Sequence, residues 1–138
     1  MTTGDESIEV AMRELCDELF DAQQRLDPEA LKRLYAAQPE SIHFWERDLV
    51  YDWPRVSKTI DAIATSVAGL TLRPGEFRSG GSGDTGWFAV PFHADRLLPD
   101  GRRFEVDGRL TTIAAKIAGR WQIVHDHASI PMPRKPWE

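Results

Sequence analysis

Asp126, His125 and His127 are the residues whose types and spacing could do chemistry, and they sit in one stretch, Gly119–Pro131, reading GRWQIVHDHASIP. Its two-residue alternation marks a strand, with Trp121, Ile123, His125, His127 and Ser129 on one face. Gln122, Val124, Asp126, Ala128 and Ile130 fall on the other. An ionised carboxylate beside Val124 and Ala128 is costly to bury unless it is paired or hydrogen-bonded. Asp126 therefore reads either as a general base or neutral acid in an apolar pocket, or as a structural residue bonded to a backbone amide, Tyr35 or an arginine.

The two histidines at i and i+2 could share zinc or iron, with Asp107 or His93 as a third ligand. Arg109, expected beside them, opposes a cation, and no metal is assigned. A Ser129–His127–Asp107 triad fails because same-strand neighbours seldom reach one another in line. What remains is a polar layer at a subunit interface, made of Arg109, Thr111, Trp121, Ile123, His125, His127 and Ser129. With Ile113 and Ile117 they form a patch that no remaining segment can cover, and this predicts a homodimer.

The elements that must position these groups follow from periodicity. Ser7–Arg25 carries apolar residues at three- and four-residue spacing and predicts an amphipathic helix, capped by Asp5 or Ser7. Asp27-Pro28-Glu29 restarts a second helix to about Ala37, closed by Pro39. Ile42, Phe44 and Trp45 suggest a short strand, and Leu49–Tyr51 a second one after an Arg47-Asp48 turn. Pro54–Ala68 predicts a third helix and Leu70–Phe77 a strand, followed by a flexible turn at Ser79–Gly86. Trp87–Leu98 and Arg103–Ile117 are long strands, with a bulge or sheet edge at Pro91 and a hairpin joining the second to Arg120–Pro131. Helices first and antiparallel strands later define an α+β fold with helices on one face of a curved sheet. The even-numbered residues Phe88, Val90, Phe92, Leu110, Thr112 and Ala128 face those helices across a pocket, joined by Val124.

At 138 residues, 41% of them hydrophobic and 28% charged, the chain fits one domain spanning 1–138. A net charge of −5 argues against nucleic acid. Cys16 is the only cysteine, which excludes an internal disulfide, and its apolar surroundings predict a buried thiol. No phosphate-cradling glycine pattern occurs, and no cofactor is expected. No apolar run spans a bilayer, and Met1–Glu9 lacks the make-up of a signal peptide, so a membrane is excluded as a partner and the cytoplasm is the expected location.

The stretch Arg109–Pro131, with its R-x-T, G-R-W and H-x-H-x-S elements, resembles the C-terminal hairpin of the NTF2-like superfamily, most closely its SnoaL-like (DUF4440) branch. It is also similar to the association domain of calcium/calmodulin-dependent kinase II. The resemblance implies the NTF2-like cone, three N-terminal helices on a curved, mostly antiparallel sheet. The kinase domain's cavity arginines correspond to Phe92, Thr112 and Ala128, which implies a neutral pocket. In ketosteroid isomerase-like members the donor acid corresponds to Thr112, the donor tyrosine to Leu19 or Phe20, and the proton-shuttling acid to Glu46. Two of those three roles are unfilled. The expected function is binding of a small apolar molecule, with isomerase, cyclase or lyase chemistry through Asp126 and Thr112 and Tyr35 as its partners. A non-catalytic dimerisation module with an incidental cavity is the competing expectation.

Overall fold

The computed structural model describes residues 7–38, 41–46 and 48–130. Asp5, Pro39, Arg47 and Pro131, assigned to helix ends and turns above, lie outside them.

Three helices form where the apolar spacing places them. Helix α1 (Ile8–Gln24) buries Ala11, Met12, Leu15, Cys16, Leu19, Phe20 and Ala22, and the Ser7 hydroxyl accepts from the Val10 amide at 3.2 Å. Helix α2 (Pro28–Leu34) starts on Asp27, whose carboxylate accepts from the Ala30 amide at 3.0 Å. It ends three residues earlier than its sequence predicts. Tyr35 turns extended there and bridges in parallel to Ile123, while the Ala36 amide donates to the Ile123 carbonyl. Helix α3 (Trp53–Ser66) buries Val56 and Ile60. Lys32, bonded to Asp61 at 2.8 Å, ties α2 to α3.

Among the described residues seven strands make one sheet: β1 (Ile42–Trp45), β2 (Asp48–Tyr51), β3 (Gly69–Pro74), β4 (Arg78–Ser82), β5 (Thr85–Leu97), β6 (Arg103–Ile117) and β7 (Arg120–Ser129). Their order is β2-β1-β7-β6-β5-β3, with β4 also paired to β5. Every pairing is antiparallel except β1 with β7. The helices cover one face of this curved sheet, giving the α+β cone.

Two details of the sheet correct or resolve the sequence reading. The glycine-rich stretch Ser79–Gly86 is not a flexible turn: it forms most of β4 and the start of β5, in register from Arg78↔Ala89 to Ser82↔Thr85. Pro91 needs no bulge. It lies between the last β3 pair, Pro74↔Phe92, and the first β4 pair, Arg78↔Ala89, and its carbonyl accepts from the Gly75 amide on that side. The missing N–H therefore faces a break in the ladder.

The bulge occurs in β7 instead. Ile113 pairs with His125 but Ala114 pairs with Ile123, so Val124 is the extra residue. The side-chain alternation restarts there. Ile123 is fully buried in the core, and Trp121 packs against it, so neither belongs to the outer layer with His125 and His127. The interface assignment of Trp121 and Ile123 is corrected accordingly. Phe88, Val90, Ala94, Leu110, Thr112, Ala114 and Asp126 are buried on the inner face, as the even-residue parity predicts.

Candidate functional site

Parallel pairing of β1 with β7 sets His43 beside Asp126 and Trp45 beside Ala128, while antiparallel pairing of β7 with β6 sets Asp126 beside Thr112. His43, Asp126 and Thr112 thus form one row across three strands of the inner face. All three are inaccessible to solvent, at 0%, 1% and 0% exposure. Tyr35 descends on this row from the end of α2.

Asp126 accepts three hydrogen bonds. Its Oδ2 takes the Tyr35 hydroxyl at 2.8 Å, and its Oδ1 takes both His43 Nδ1 and Trp45 Nε1 at 2.7 Å. Three donors around one carboxylate are what allow it to be buried. Burial in the first place, then the charge and hydrogen bond of Asp126, hold the Tyr35 phenol well above its ordinary range, so Tyr35 stays a donor. The His43 ring is fixed further by Trp45, stacked on it at 5.2 Å and 26°, and by the edge of Tyr35 at 5.2 Å.

Two buried polar atoms in the row have no partner among the described residues: His43 Nε2 and Thr112 Oγ1. Because Nδ1 donates to the carboxylate, the neutral ring carries its proton there and presents a lone pair at Nε2. The structural ingredients of a general base are therefore on His43, with Asp126 orienting it. Thr112 does not bond to Asp126, contrary to the sequence expectation, although Tyr35 does. His43 and the bond from Trp45 were missed. Their signal was the alternation Ile42-His43-Phe44-Trp45, whose polar-capable members face inward.

Glu46 does not belong to this site. It occupies a left-handed turn after β1 at φ 59°, is exposed, and pairs with Arg96 at 2.7 Å. Its assignment as a proton-shuttling acid is corrected: the turn carries its carboxylate to the surface. Of the other expected pocket residues, Leu19 and Phe20 of α1 and Val90 of β5 are buried in the core. Phe92 and Ala128 are half-buried against it. The Phe92 ring lies over Gly108, where a Cβ would collide with it, and meets Phe20 edge-on at 6.1 Å. An open groove of about 200 Å³ runs between α1 and β3–β5, and of the expected set only Phe20 and Val90 line it. Cys16, on its wall, has its thiol pushed up to about 12, chiefly by burial, which removes it as a nucleophile.

The outer face gathers the other candidates. His125 Nδ1 donates to the Ile42 carbonyl at 2.7 Å, and Phe44 contacts both His125 and His127. His93 is held elsewhere, on β5, with Nδ1 on Asp107 at 2.8 Å and Nε2 on Glu105 at 2.9 Å. Among the described residues no group of three ligands converges on a metal position.

The His93 clamp predicts a pH dependence. Both ring nitrogens face carboxylates, so the bonds to Asp107 first, and to Glu105, raise its pKa against the opposing charge of Arg73. Its stabilising contribution is complete below the unfolded histidine value, about 6.5, and is lost as pH rises through the higher folded value. The melting-temperature advantage of wild type over His93→Gln should thus shrink from mildly acidic to alkaline pH. A gap that stays constant with pH would contradict the clamp.

With this geometry in hand, the comparisons with known proteins identify the class. The chain belongs to the SnoaL-like domain family, whose model matches residues 12–133. Solved structures agree on the fold. An NTF2-like superfamily protein from Salmonella enterica serovar Typhimurium LT2 superposes with a TM-score of 0.85 at 20% identity, over 95% of this chain and 96% of that one. A proposed dehydratase of the NTF2-like family from Streptomyces avermitilis gives 0.82 at 12% identity, over 91% and 97%. A proposed ketosteroid isomerase from Shewanella frigidimarina NCIMB 400 gives 0.75 at 21% identity, over 89% and 98%. No curated protein matches the sequence. No helix among the described residues is long and apolar enough to cross a membrane.

Proposed function

We propose that the chain binds a small, neutral, mainly apolar molecule beside the His43–Asp126 pair and moves a proton on it, as an isomerase, cyclase or lyase does. The observation that carries this reading is His43 Nε2, a buried ring nitrogen with no partner among the described residues, on a ring oriented by a carboxylate. A histidine oriented this way is suited to take a proton from a bound molecule and to return it. The neutral character of the ligand rests on the company of the site. Tyr35, His43, Trp45, Thr112 and Asp126 include no lysine or arginine, and a ligand anion would be repelled by the Asp126 carboxylate.

A thermal-shift comparison tests it. Neutral ring compounds should raise the melting temperature, and carboxylates or phosphates of the same size should not. Consistent stabilisation by anions alone would overturn the assignment.

A second reading concerns assembly and is compatible with the first. We propose that the outer sheet face packs on a second copy of the chain. In-register pairing sets Tyr51, Ile42, His125, Ile113 and Trp87 in one row across five strands, and Leu49, Phe44, His127, Thr111 and Ala89 in the next. Tyr51, Leu49, Phe44, Ile42, Trp87 and Ile113 are all exposed. No carboxylate, lysine or arginine occurs in these two rows, and the Arg55 guanidinium lies over Tyr51 at their end, so an identical face brought against them about a two-fold axis meets few like charges.

A further inference from the structure

The reading of His43 as an oriented base also limits what the ligand must offer, and the inference here rests on that reading. Nδ1 is committed to Asp126 at 2.7 Å, and the ring cannot turn over without breaking that bond under the stacked Trp45 indole. In the neutral ring Nε2 is consequently an acceptor. Asp126 itself is closed to a ligand, since its two oxygens already take three donors. The remaining polar atom of the row, Thr112 Oγ1, can both donate and accept, and it too is fully buried without a partner among the described residues. Neighbouring strands stand about 4.8 Å apart, so the Cα atoms of His43 and Thr112 flank Asp126 at roughly twice that spacing.

We infer that the site selects a neutral compound bearing a hydroxyl, which donates its O–H to His43 Nε2 while the same molecule contacts Thr112 Oγ1. A ligand of the same shape without a donor would leave Nε2 buried and unbonded, and buried polar groups left unpaired discriminate more strongly than apolar fit does. Trp45, half-buried, is the most exposed of the three residues that donate to Asp126.

Phenol and anisole make a matched pair of probes, with benzoate as the anionic control. By calorimetric titration, phenol should bind wild type about tenfold or more tightly than anisole, the usual worth of one buried hydrogen bond. In His43→Phe the two should become equal to within about twofold, and Thr112→Val should weaken phenol by a few-fold. Nitrogen-15 NMR of histidine-labelled wild type supplies a readout independent of whether the variants fold. Nε2 of His43 should carry no proton, and its resonance should move upfield when phenol is added. Equal binding of phenol and anisole to wild type, or a proton on Nε2 whether or not Nδ1 also carries one, would overturn the inference. Binding of benzoate alone would instead overturn the parent reading of a neutral site.

Discussion

Replacing Asp126 with Ala should cost roughly 3–5 kcal/mol of folding stability, the range for removing one partner from a buried charged network. The loss comes less from the bonds themselves than from what remains. The Tyr35 hydroxyl, His43 Nδ1 and Trp45 Nε1 would all be left as donors with no acceptor, two of them on residues that are fully buried or nearly so. Asp126→Asn separates charge from hydrogen bonding. The amide oxygen can keep His43 and Trp45, and the amide nitrogen can donate to the Tyr35 oxygen once that hydroxyl rotates. Asn should therefore retain the fold at a cost of about 1–2 kcal/mol. It should also bring the Tyr35 phenol back towards its ordinary range. The charge and hydrogen bond of Asp126 contribute to its elevation, although burial, the largest cause, remains. Urea denaturation followed by circular dichroism gives the stabilities, and ultraviolet titration of the phenol gives the tyrosine. An Ala variant within about 1 kcal/mol of wild type would mean that the three donors find other acceptors, and the network would lose its importance.

The network also shows what the sequence can and cannot disclose. The cone of helices on a curved sheet was legible because each long strand alternates on its own, and because caps such as Ser7 and Asp27 mark the helix starts. Asp126 stood out as a carboxylate on an apolar face, and Tyr35 was within the set of partners considered. His43 was not, because β1 is four residues long and its alternation runs against the hydrophobic rule. Ile42 and Phe44 point outward and are exposed, whereas His43 and Trp45 point inward. Only the parallel pairing with β7, a contact across more than eighty residues, places His43 on Asp126. A single-sequence pattern carries no register information over that distance. Glu46 failed for the opposite reason: a rough family correspondence supplied a role that the left-handed turn at its own position denies.

The bulge at Val124 was equally hidden, since neither glycine nor proline marks it, and it decides the outcome of a second pair of variants. Read as one uninterrupted strand, β7 puts Ile123 in the same outer layer as His125, so Ile123→Glu would separate subunits. With the bulge, Ile123 is fully buried in the core, bridged in parallel to Tyr35, and its carbonyl holds the Ala36 amide. A glutamate there would be buried among the apolar side chains of the core and left uncompensated. The expected cost is about 4 kcal/mol or more, a large part of the 5–15 kcal/mol that keeps an ordinary domain folded. Ile123→Glu should consequently unfold or fail to accumulate. Ile113→Glu places the same charge on the outer face, at a position 36% exposed between Trp87 and His125. In a monomer that side chain reaches water and the fold survives. In the dimer two such charges would be brought into a contact whose two central rows carry no charged side chain. Sedimentation velocity at micromolar concentration should therefore find wild type as a dimer and Ile113→Glu as a folded monomer, with native circular dichroism and a lower melting temperature. A wild type that sediments as a monomer would remove the second copy from the outer face. A folded, dimeric Ile123→Glu would remove the bulge from β7.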